Sequence, residues 1–242
     1  MQDFGALTQD AGQAYAVTYY AHAAIGFGAA GMALVALFSQ KGGAWHRRSG
    51  QIFLCAMGFA AMSALYFVVT RVPAPPVLIG ALVSIYAMAM AVLSLKPQTG
   101  AWFIAQVASA AIPFLVGLFY FSYIAAAIMI PDVPAYVGVL GPMAGVFFLV
   151  IGCKDVAFLR AGKVDRPRRL QRHGFRMALV CTQVVSAPLQ SFGPLFLGEE
   201  HSFQFYAFAP FLLVPLIVWL ATPAWLKTPT PEPEAEPQVE PA

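Results

Sequence analysis

The sequence predicts an all-α protein, a polytopic transmembrane bundle of seven helices with its N-terminus outside and its C-terminus cytoplasmic. Three observations carry that prediction. Apolar residues make up 60% of the chain and charged residues 10%, whereas soluble domains are about a quarter charged. Apolar runs of about 20 residues, enough to cross a ~30 Å hydrocarbon layer as helix, recur along almost the whole length. Lys and Arg fall in alternate connections between those runs.

The runs are Tyr15 to Phe38, Gln51 to Thr70, Val77 to Leu95, Ala101 to Tyr123, Tyr136 to Gly152, Phe175 to Leu195 and Phe203 to Leu220. Each is read as helix because, in lipid, helices and closed barrels alone satisfy their backbone. The start "MQDFGALTQD" carries Asp3 and Asp10 and no basic residue, so it lacks the basic opening of a cleavable signal peptide. Residues 1–14 are therefore expected as an extracytoplasmic segment ahead of a retained first span. Gly42 and Gly43 turn the chain into the second helix, with Trp45 at the interface and His46 in the first turn. Pro113, Pro142, Pro188, Pro210 and Pro215 predict kinks in helices four to seven. Asp165 is expected to cap the sixth helix, with Pro167 in its first turn. The seven spans make up one domain, 15–222. The tail, 223–242, is acidic and Pro-rich and is expected to be disordered and cytoplasmic.

Thirteen of the fourteen Lys and Arg residues lie in the connections after spans one, three, five and seven, and Arg71 alone falls on the other side. The positive-inside bias makes the first group cytoplasmic. Without the four tail glutamates the formal charge of +3 would be +7, so the expected partners are membrane lipids, with anionic head groups at the cytoplasmic face, and not nucleic acid. Cys55, Cys153 and Cys181 all fall in cytoplasmic halves of helices and are expected as reduced, packed thiols.

A few polar residues need a reason. His46 and Arg47 stand at the rim before the second span, and His173 stands two turns into the sixth helix. Arg176 enters the apolar region one turn later, where it needs a partner or must snorkel. Asp155, at the end of the fifth helix and on the same side, is the nearest candidate. These five form the expected ligand-binding or polar cluster. His22 lies one or two turns inside the first span, beside a small-residue face of Gly26, Ala30, Gly28 and Gly31 that would let another helix approach closely.

"AHAAIGFGAAG", "KGGAWHRRSGQIF", the later "KD" and "RHGFRM" resemble a family of small bacterial predicted membrane proteins of unknown function. That resemblance covers about 19 to 220. It picks out His22, then Lys41, Gly42, Gly43, His46, Arg47 and Gly50, then Asp155, and then His173, Arg176 and Met177. It also picks out Tyr86, although "AMAMAV" stands where the family often continues Gly-Tyr-Arg. The resemblance implies a bacterial cytoplasmic (inner) membrane and a residue set, but no activity.

Three functions follow from these residues. The cluster is a binding site for an anionic metabolite or lipid head group, as in a transporter or lipid-binding protein. Alternatively it is a structural network that closes one end of the bundle. In the third, the protein is a b-type haem-binding electron-transfer protein, with His22, His46 and His173 as candidate ligands, His46 paired with His173 and His22 with His201. No Asp, Glu or Lys stands in the middle of a span, which weighs against a proton-coupled pump. No Ser-His-Asp set, zinc motif or phosphate loop points to catalysis.

Overall fold

The computed structural model describes residues 4–70, 75–129, 137–162 and 164–197, together with 213 and 216. Among these there are six helices and no strand: α1 (Phe4–Phe38), α2 (Ala44–Thr70), α3 (Pro75–Leu93), α4 (Gly100–Met129), α5 (Val137–Arg160) and α6 (Arg166–Leu197). The segments Gly12–Phe38, Ala44–Thr70, Gly100–Ser122 and Gly138–Arg160 are each long and apolar enough to cross a membrane, and Val77–Leu93 is a shorter apolar helix. The expected seventh span lies outside the described residues except for Leu213 and Leu216, which are helical and exposed. His201, Arg71 and the tail also lie outside them.

Several boundaries move outward from the apolar runs. Nothing in "ALTQDAGQAYAV" forbids helix, so α1 continues through most of the expected N-terminal segment and begins at Phe4. Helix α2 takes in "AWHRRSG" and begins at Ala44. Helix α6 begins at Arg166, one residue after the predicted cap, with the Asp165 carbonyl accepting from the Arg169 N–H at 3.2 Å. The apolar run marks the lipid-embedded length, whereas the helix continues until a cap or glycine ends it.

Helix α3 is the centre. It packs against α2, α4 and α6, while α1 packs on α2 and α6, and α5 packs on α4. Val83, Tyr86, Ala87, Met90 and Ala91 of α3 are fully buried. The outward faces stay apolar, with Val17, Tyr20, Phe38, Val69, Leu115 and Ile128 all more than 60% exposed. A water-facing surface with this much exposed apolar area would associate or aggregate, but against hydrocarbon it carries no penalty. These features are those of a membrane protein.

Close helix contact occurs at a different place from the one predicted. A Cβ on Gly26, Gly28 or Gly31 of α1 would meet nothing within 4 Å, so among the described residues none of these three glycines stands at a close helix approach. The close approach is between α4 and α5. There a Cβ on Gly117 would lie 3.0 Å from the Gly145 carbonyl, and one on Gly145 would lie 3.0 Å from the Gly117 carbonyl. Cys55 and Cys153 are exposed and Cys181 is half-buried, so the first two are not the packed thiols expected.

The connections 39–43, 94–99 and 161–165 gather at one end, where α1, α3 and α5 finish and α2, α4 and α6 begin. Every described Lys and Arg lies at this basic end. In the first connection Gly42 has φ of +77°, a left-handed conformation that costs an L-residue about 1–2 kcal/mol. Gly42→Ala is expected to lower stability by that amount, read as a fall in thermal midpoint in detergent. Gly58→Ala, at normal φ with open space beside it, is the neutral control.

Candidate functional site: the basic end of the bundle

The last four carbonyls of any helix lack an intrahelical donor, and at a membrane boundary each needs a partner. At the basic end three helices present such carbonyls together, and the polar residues left over from the sequence supply the donors. At the end of α1 the Ala36 carbonyl accepts from His46 Nδ1 at 2.9 Å and from Lys41 Nζ at 3.1 Å, and Lys41 also reaches the Leu37 carbonyl. Partial burial there pulls the Lys41 ammonium below the usual lysine value. At the end of α3 the Ala91 carbonyl accepts from His173 Nδ1 at 2.9 Å, and Leu93 accepts from Gln106 Nε2 at 2.8 Å. At the end of α5 the Phe158 carbonyl accepts from Gln98 Nε2 at 3.1 Å. Cations here also face the negative ends of the helix dipoles.

These contacts set the tautomer of both histidines. A carbonyl oxygen only accepts, so Nδ1 carries the proton in His46 and in His173. In each neutral ring Nε2 therefore holds a lone pair. The two rings come from α2 and α6, and each meets the end of a different helix, His46 that of α1 and His173 that of α3.

Beside them lies a buried ionic cluster. Asp155 is fully buried. Its Oδ1 accepts from Nη2 of both Arg172 and Arg176, and its Oδ2 accepts from the Tyr86 hydroxyl. Arg172 also donates from Nη1 to the Lys154 carbonyl at 3.3 Å and lies 4.1 Å over the Phe158 ring. Arg176, 2% exposed, lies 5.3 Å from the ring centres of both Tyr86 and Phe175. Each guanidinium thus has an aromatic face as well as a carboxylate, which lowers its desolvation cost.

The charges in this cluster do not balance. Two guanidiniums share one carboxylate, and that carboxylate is already engaged on both oxygens. Nε of Arg169, Arg172 and Arg176 is buried in each case with no hydrogen-bond partner among the described residues. Positions 169, 172, 173 and 176 share one face of α6 by helical spacing, so the unmatched donors and His173 look the same way.

Of the five residues expected to cluster, the structure pairs Asp155 with Arg176, and it puts His46 and His173 at the same end of the bundle but on different helix ends. Arg47 is exposed on the first turn of α2, and its side chain makes no hydrogen bond or ion pair among the described residues. His22 stands apart from the other histidines. Its Nδ1 is 2.7 Å from Ser63 Oγ, whose own proton goes to the Phe59 or Ala60 carbonyl. It lies fourteen residues before Ala36, roughly 21 Å along α1 at the rise of a helix. His22 therefore does not join His46 and His173.

The sequence reading missed Arg172 as a second partner of Asp155 and missed the Tyr86 hydroxyl as its third. The three-and-four spacing of 169, 172 and 176 was available as a signal. The capping glutamines carried none, because a lone Gln at a helix end looks like any polar rim residue. Compared with protein families, with curated proteins and with solved structures, the chain matches none, so the chemistry of this site rests on its own geometry.

Proposed function

We propose that this protein is a seven-span protein of the bacterial inner membrane, oriented with its basic end in the cytoplasm, and that it binds an anionic group at that end. The supporting observation is the surplus of guanidinium donors. Among the described residues three buried Nε–H groups lack acceptors, and one carboxylate serves two arginines. A buried unsatisfied donor costs about 1–3 kcal/mol, and an entering phosphate or carboxylate offers the charge-assisted acceptors that remove this cost. In this reading Asp155 and Tyr86 organise the arginines and the ligand completes them. The positive-inside distribution supports the orientation.

A second reading has one observation in its favour. Direct contacts already saturate Asp155, as a purely structural lock between α3, α5 and α6 would require. Ligand-dependent stabilisation separates the two. Thermal unfolding of the purified chain is measured with inorganic phosphate in detergent, and separately in nanodiscs of phosphatidylglycerol against phosphatidylcholine. Binding at a hundred times Kd adds about 2.7 kcal/mol, a rise of several degrees. Arg169→Gln, which leaves both ion pairs of Asp155 intact, is expected to abolish the rise. No stabilisation by either anion leaves the structural lock as the function of the cluster.

A further inference from the structure

Helix α5 carries a groove on its flank, open outward and about 430 Å³ in volume, lined by Val146, Leu149, Val150, Cys153, Lys154 and Ala157. These residues recur at three and four, so they form one stripe along the helix. Cys153 and Ala157 are small and exposed and leave the hollow. Val146 and Val150, each about half exposed, continue the stripe away from the basic end, and Leu149, which lies over Gly117 of α4, bounds one edge.

Two features set this groove apart from the rest of the apolar surface. One is its length. From Val146 to Lys154 the helix rises about 12 Å, most of the ~15 Å thickness of one hydrocarbon leaflet. The other is charge at one end alone. Lys154 is exposed, and its ammonium has no hydrogen-bond or ion-pair partner among the described residues. Its backbone carbonyl accepts from Arg172 Nη1 at 3.3 Å, a bond at the exposed edge of the ionic cluster. Two cations therefore stand where the groove reaches the rim.

An apolar stripe one leaflet long with cations at its rim fits a lipid with an anionic head group, since juxtamembrane Lys and Arg attract such lipids. A free anion would use the cations and leave the groove empty, and a neutral lipid would do the reverse. A second copy of the chain, packed α5 against α5 about a two-fold axis, would set one Lys154 against the other.

We propose that the groove holds one acyl chain of an anionic phospholipid, whose phosphate bridges the Lys154 ammonium and Nη1 of Arg172. The choice of an anionic head group rests on the anion-site reading above, and the seat for the chain rests on the groove alone.

The test is thermal unfolding of the full chain in detergent, titrated separately with phosphatidylglycerol, phosphatidylcholine of the same chains, glycerol phosphate and inorganic phosphate. Cys153→Phe fills the groove without altering a charge, Lys154→Gln removes the ammonium, and Val139→Phe, on an exposed part of α5 outside the groove, is the control. The expected result is that phosphatidylglycerol raises the midpoint by several degrees, at concentrations where phosphatidylcholine and glycerol phosphate do not. Cys153→Phe and Lys154→Gln should each weaken that response about tenfold with an unchanged midpoint in the absence of lipid, and Val139→Phe should match the parent. Equal responses to the two lipids, or a phosphatidylglycerol response indifferent to Cys153→Phe, overturn the proposal. If inorganic phosphate then still stabilises the chain, the anion site stands without a lipid, whereas no response to any of the four compounds removes both readings.

Discussion

Asp155→Ala is expected to cost about 3–5 kcal/mol, the range for removing one partner of a buried ion pair, and to be the most damaging single substitution in the protein. The loss of two attractions is the smaller part. The larger part is that Arg172 and Arg176, little exposed and held over aromatic rings, are left as uncompensated charges at a membrane boundary. The Tyr86 hydroxyl loses its acceptor as well. A compensating variant separates the origins of the effect. Asp155→Leu combined with Arg172→Met and Arg176→Met removes all three charges together, and replacing a whole buried ion cluster with apolar groups is often close to neutral. The triple variant should therefore unfold at a higher temperature in detergent than Asp155→Leu alone. If it is no more stable, charge compensation is not what Asp155 supplies.

Gly117→Leu is the second large effect expected, at or above the upper end of the ~1–3 kcal/mol range for overpacking. Its Cβ would meet the Gly145 carbonyl and the Leu149 side chain, each at 3.0 Å. A side chain can rotate away, but a carbonyl in the middle of the facing helix cannot move without moving that helix. Without a hydrophobic drive in lipid, α4 and α5 rely on such close packing, so the pair should separate. A cysteine pair placed across α4 and α5 should cross-link less readily in the Gly117→Leu background. Gly31→Leu, on the open face of α1, is expected to leave stability unchanged.

The contrast between those glycines shows what was legible in the sequence. Composition and run length indicate helices and a membrane, because both depend on how many apolar residues occur in a row. The sorting of Lys and Arg is equally legible, and it led from Arg176 to Asp155 as partners at one end. Rotation of each helix about its axis is not legible. Small residues at four-residue spacing occur in α1 and in α5, and only the packing shows that the first set is open and the second is closed on α4. Arg172 was hidden for the same reason, since a basic loop residue and a buried counter-ion have the same letter until α6 is turned toward α5. The histidines were visible as candidates, but their tautomers were not, because these depend on which carbonyl each ring meets.

The spacing of the helix-end donors has a consequence for how the chain is made. The end of α1 is closed by Lys41 and His46, so the first hairpin has its partners as soon as α2 leaves the ribosome. The end of α3 waits for His173, and Asp155 waits for Arg172 and Arg176, all on the last helix described. Until α6 arrives, α5 carries an unneutralised carboxylate into the bilayer. A chain stopped short of α6 therefore leaves Asp155 without its two guanidiniums and the end of α3 without His173, and the sixth helix completes the basic end.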